Sequence, residues 1–98
     1  MASLAILVMY SGKWDDTNRY IDYTIEGIVF KEQSTVLEIY TIIATQIGVD
    51  MNNKILKIEY KVEESNKRVV IHNDMGVRVY IMLKKANNNF ICICNSFV

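Results

Sequence analysis

The sequence predicts an α+β fold, a mixed sheet of four to five strands with one main helix laid across one face. Three observations predict it. Several stretches alternate apolar and polar residues with a period of two, the signature of strands. One stretch repeats its apolar residues at helical spacing. Ninety-eight residues, 51% of them hydrophobic and 22% charged, are enough for one modest globular core and no more.

The first strand is read over residues 3–10, SLAILVMY, apolar on both faces and therefore expected near the middle of a sheet or under a partner chain. Ser11 and Gly12 punctuate it, with Gly12 available for a turn of positive φ. A polar turn, Trp14 to Asn18, leads into a second strand over residues 20–30. There Ile21, Tyr23 and Ile25 alternate with Tyr20, Asp22, Thr24 and Glu26, and Gly27 reads as a bulge or a close backbone approach.

The main helix is expected over residues 35–47, with Val36, Ile39 or Tyr40, Ile43 and Ile47 as its apolar stripe. Ser34 suits the N-cap; Thr35 with Glu38 has capping-box spacing for a helix starting one residue later, and Gly48 is a natural stop. Its β-branched content makes it a poor autonomous helix, so packing must hold it.

KILKIEYKV, within a strand over residues 54–62, alternates Leu56, Ile58, Tyr60 and Val62 with a wet face of Lys57, Glu59 and Lys61. A solvated turn (63–68) and a short strand (69–72) follow. Residues 73–85 fit two patterns. Val77, Val79, Ile81 and Leu83 alternate as a strand would, while Val77, Tyr80, Ile81 and Lys84 share a helical face with Asn73 or Asp74 as cap. A last strand is read over 90–96, in a tail apolar enough for a buried edge or a truncated reading frame. A hairpin, a helix and further strands in this order describe a β-grasp, or ubiquitin-like, layout.

Composition narrows function. Eleven basic residues balance eleven acidic ones, so neither nucleic acid nor anionic lipid is attracted by net charge, and self-association is not opposed by it. The apolar run Leu4 to Met9 is too short to span a membrane and lacks the form of a secretory signal, and Cys92 and Cys94 are too close for an unstrained disulfide. An intracellular protein with free thiols is expected.

No catalytic constellation appears. His72 has no nucleophile or acid at recognisable spacing and is expected to pack at a strand end. Cys92-x-Cys94 lacks the two-residue gap of zinc and redox motifs, and Asp15 and Asp16 read as turn residues without a third acidic partner. No enzyme activity, cofactor or metal is expected.

Two phrases carry more information. VMYSGKWDDTNRYIDYTIEGIVF (8–30) and VVIHNDMGVRVYIMLKKANNN (69–89) resemble the N-terminal domain of plant Mutator-like (MuDR family) transposases. That domain is similar to the Phox/Bem-type ubiquitin-like interaction fold. The resemblance implies a second helix over residues 74–85 with the C-terminal segment as last strand, and a nuclear protein. The catalytic acids and zinc knuckle of such transposases have no counterpart here. Acid-to-base docking of Phox/Bem type also lacks its residues: Asp74 stands alone before the second helix, and the first strand has no lysine.

The expected function is protein–protein interaction in assembling a larger complex, with the chain itself as one partner through the terminal strands. The residues expected to carry it are Trp14, Asp15, Asp16 and Arg19 on the turn, with Val8 and Ile93 on the terminal strands. For Trp14 the alternative is folding back over the core edge. The competing function is nucleic-acid binding through Lys54, Lys57, Lys61, Lys67 and Arg68.

Overall fold

A computed structural model describes residues 2–62, 67–87 and 91–97. Within them the order is β1 (Ser3–Tyr10), β2 (Lys13–Trp14), β3 (Tyr20–Ile21), β4 (Thr24–Lys31), α1 (Val36–Ile47), β5 (Ile55–Lys61), β6 (Arg68–Val70), α2 (Asp74–Ala86) and β7 (Cys92–Phe97). The architecture is α+β. Five strands form one mixed sheet in the order β4-β1-β7-β5-β6, and β2 with β3 makes a separate two-stranded ribbon. Strands β1 and β7 run parallel, and all other pairs in the sheet are antiparallel.

Both helices cover one face. Ile6, Val8, Ile28, Phe30, Leu56, Ile58, Cys92 and Cys94 from the sheet pack in one core with Ile39, Ile43, Val77, Tyr80 and Ile81 from the helices. Helix α1 starts with the full capping box: Thr35 accepts from Glu38 N, and Glu38 accepts from Thr35 N. The cap is therefore Thr35 rather than Ser34, which is itself buried. Gly48 ends the helix at φ 78°, a left-handed conformation that glycine adopts without penalty.

Residues 74–86 are a helix, and the four positions on its helical face, Val77, Tyr80, Ile81 and Lys84, are the buried ones. Asn73 caps it by accepting from Gly76 N at 2.8 Å. A side chain at Gly76 would press on that cap, since its Cβ would lie 3.4 Å from Asn73 Oδ1. The two helix N-termini also meet. Val36 N donates to Asp74 Oδ1 at 2.8 Å, so Asp74 is engaged in holding α1.

Several expectations are corrected. The strand read over 20–30 is broken at Asp22, whose φ of 57° turns the chain between β3 and β4. The break shifts the pattern. Tyr20, Ile28 and Phe30 are buried, whereas Tyr23 and Ile25 are exposed. Gly27 sits in unbroken register opposite Leu7, with no bulge and no close neighbour. Gly12 has no positive φ; that conformation falls on Ser11 at 61°. His72 is exposed rather than packed. Phe90 and residues 63–66 and 88–89, read as strand and turns, lie outside the described residues.

The largest correction concerns the terminal strands. Neither is an edge: β1 and β7 are neighbours in the interior of the sheet, and the edges are β4 and β6. Val8 is 0% and Ile93 3% exposed, so neither side chain is free to meet a partner. The apolar C-terminal tail is explained by its place between β1 and β5.

Candidate functional site on the outer face of the sheet

Opposite the helices, the sheet has an outer face built from the alternate residues of each strand. Across its middle one row runs Ile25, Met9, Ile93, Glu59 and Val70, fixed by the strand registers. Half of this face is covered by the chain between β1 and β4. Residues 11–23 form an arm that leaves the end of β1 and lies over β7 and β5, reaching Arg68 on β6.

The arm is shaped by local chemistry. Ser11, Asn18 and Asp22 take left-handed φ values of 61°, 61° and 57° at its corners; asparagine and aspartate tolerate that region better than most residues. Its tip is an Asp15 turn. The carboxylate accepts from Thr17 N at 2.9 Å, Thr17 Oγ1 at 2.8 Å and Arg19 N at 2.9 Å, and Arg19 Nε lies 3.5 Å away. The Arg19 backbone N–H, followed by the Thr17 hydroxyl, holds the Asp15 carboxyl below its usual pKa. Asp16 is exposed beside it. Both aspartates are turn residues.

Three contacts pin the arm to the sheet. Tyr20 is the hub: its hydroxyl donates to Asn95 Oδ1 and accepts from Gly12 N, both at 2.8 Å, and burial raises its pKa. Gly12 is required by proximity, because a Cβ there would lie 2.5 Å from Ile21 O and 2.9 Å from Tyr20 Cε2. Lys61 Nζ donates to Asn18 O at 3.1 Å. The Arg68 guanidinium stacks over Trp14 at 4.1 Å from the ring centroid, a cation–π contact. Trp14 also packs on Tyr20, with centroids 5.2 Å apart. Trp14 thus folds back over the sheet.

Between arm and sheet runs a groove of about 340 Å³ that brings together Trp14, Arg19, Tyr20, Tyr23, Lys61 and Ile93. Among them, Trp14, Arg19 and Ile93 are the residues expected at a protein interface and Lys61 is one expected at nucleic acid; the fold puts them on one surface. The cations there are already engaged. Glu59, 2% exposed, takes Lys57 at 3.8 Å and Arg68 at 3.6 Å. The face read as wet has, at Glu59, one buried carboxylate beneath two partly exposed cations. Lys67 and Lys54 are exposed on flanking loops and line no part of this groove.

The other half of the outer face is bare. On β1 and β4, Leu7 is 47%, Ile25 48% and Val29 63% exposed, with Ala5 and Gly27 between them. This strip adjoins the β4 edge. Sequence reading missed it because the break at Asp22 reverses which β4 residues face the helices.

Burial pushes the Cys92 and Cys94 thiols up to about 12, which keeps them protonated. Among the described residues, no group of three or more His, Cys, Asp and Glu could hold a metal, and no helix is long and apolar enough to cross a membrane. No protein-family model matches the chain, and no curated protein matches it significantly.

Proposed function

We propose that the chain is a non-catalytic β-grasp domain for protein–protein interaction, related to the N-terminal module of Mutator-like transposases. Its docking surface is the bare half of the outer face with the β4 edge. By that relationship its site of action is the nucleus. The β-grasp reading is supported by the strand order, with parallel β1 and β7 in the interior of the sheet and α1 crossing from β4 to β5.

The observation that carries the function is the exposed row of Leu7, Ile25 and Val29 beside a strand edge with no described partner. Exposed apolar rows and open edges are the features by which sheets bind other chains. The charges point the same way. Lys57 and Arg68 are committed to Glu59 and Lys61 to the arm, so the basic residues do not form the free stripe that duplex DNA requires.

The test is a binding titration of the labelled domain against N-terminal modules of Mutator-like transposases and against duplex DNA over a salt series. The expected result is binding to a protein module that is lost in Val29→Lys. Steep salt-dependent DNA binding, unchanged in Val29→Lys, would overturn the proposal in favour of nucleic-acid binding.

A further inference from the structure

We infer that the β4 edge pairs with a second copy of this chain, antiparallel, about a two-fold axis at Gly27. The inference rests on reading the bare half of the outer face as the docking surface. Along all eight residues β4 pairs with β1 on one flank, and no described strand lies on the other. Two of the usual protections of an edge are missing: the register is unbroken by a bulge and the chain contains no proline. Charge is confined to Lys31 at the end of the strand and Glu26 on the inner side, which leaves Ile25, Gly27 and Val29 as an uncharged outward run.

The occupant follows from self-complementarity. A two-fold axis perpendicular to the sheet keeps outer residues opposite outer residues. With Gly27 opposite Gly27, Ile25 of each copy faces Val29 of the other, and Tyr23 faces Lys31. Leu7, paired with Gly27 inside each copy, flanks the notch left by the two glycines. On the inner side Glu26 faces Ile28 and Thr24 faces Phe30.

Two other registers are worse. One puts Glu26 opposite itself and another puts Glu26 opposite Glu32; like charges directly opposite are destabilising. In the favoured register Asp22 and Glu32 meet at the ends, just outside β4, where each has a lysine beside it in its own copy. Lys13 lies 3.6 Å from Asp22, and Lys85 lies 2.8 Å from Glu32. A formal net charge of zero adds no long-range repulsion between copies.

The experiment combines solution mass with cysteine trapping in the full chain. Gly27→Cys suits the trap, since a Cβ there meets nothing within 4 Å and the position needs no positive φ. Paired strands bring opposite Cα atoms within disulfide range. Light scattering at tens of micromolar is expected to give a dimer. Val29→Lys is expected to halve that mass with an unchanged circular dichroism spectrum. Mild oxidation is expected to cross-link Gly27→Cys into a dimer and to leave Val29→Cys, which faces Ile25, monomeric under denaturing conditions.

A monomer at every concentration overturns the inference, as does cross-linking of Val29→Cys in preference to Gly27→Cys. If the wild-type chain is monomeric yet binds a transposase module in a Val29-dependent way, the second copy is excluded while the docking surface stands.

Discussion

On one half of the sheet's outer face Ile93 is 3% exposed; on the other half Val29 is 63% exposed. Both are β-branched residues at outward positions of the same sheet. The difference is made by the arm, residues 11–23, which returns over β7 and β5 and leaves β1 and β4 uncovered. Strand chemistry selects which side chains point outward. What lies over them is decided by a non-local return of the chain.

Removing side chains from the two halves should give the largest contrast. Ile93→Ala is expected to cost about 2–5 kcal/mol, the range for a buried aliphatic truncation. Leu7→Ala on the bare half should stay within about 0.5 kcal/mol, as exposed substitutions usually do. Urea unfolding of both variants checks it. A small loss at Ile93 would mean that the arm is a loose flap rather than a second small core.

The two glycines sharpen the same comparison at a lower energy. At Gly12 a methyl group collides with Ile21 O, so Gly12→Ala is expected to destabilise the domain by about 1–3 kcal/mol, the usual range for overpacking. At Gly27 the methyl enters open space. There Gly27→Ala should be neutral or stabilise by about 0.5–1 kcal/mol, since glycine is entropically unfavourable in a strand. Thermal melts of the two variants should move in opposite directions, and equal destabilisation would contradict the assignment of covered and bare halves.

These two halves also show what was legible in the sequence. Helix α1 and strand β5 were readable because each has a local signal: the capping box of Thr35 and Glu38, the stop at Gly48, the clean alternation of KILKIEYKV. Helix α2 was ambiguous because Val77 and Ile81 satisfy both periods, and it is Tyr80 and Lys84 meeting the core that distinguish them. The arm was not legible. Tyr20 and Ile21 carry strand chemistry, but the left-handed turn at Asp22 has no apolar signal, and reading across it flipped the faces of β4. Val8 and Ile93 were misjudged for a related reason: apolarity on both sides describes a covered interior strand as well as an open edge. Glu59 gave no sign that it would be buried, since its partner Arg68 is close only once β5 and β6 pair.

A single hydroxyl separates the halves next. Tyr20→Phe removes a group that both accepts from Gly12 N and donates to Asn95 Oδ1, and leaves both without that partner. The expected cost is about 1–3 kcal/mol. Tyr23→Phe, at an exposed neighbour stacked 5.9 Å from Tyr20, should change stability little. Asn95→Ala should reproduce part of the Tyr20→Phe loss, and a double variant less destabilised than the sum of the two would show that the bond itself links arm to sheet.

The smallest effect is a pH dependence confined to the covered half. In the folded arm Asp15 is held below its ordinary pKa of 3.8, chiefly by the Arg19 N–H. A depressed folded pKa means that the carboxylate's contribution is complete above that ordinary value. It is lost as pH falls below about 4 and through the depressed value. The capping-box carboxylate Glu38 shifts in the same direction, so acid also weakens the start of α1. Trp14, the only tryptophan, sits on the arm and separates the two events. As pH drops, Trp14 emission is expected to report the loss of the arm and far-ultraviolet circular dichroism the loss of helix, as two transitions rather than one. In Asp15→Asn, which keeps one acceptor but no titrating charge, the separate emission transition should vanish while the circular dichroism one remains. Coincident transitions in both chains would mean that the arm and the sheet it covers unfold as one unit.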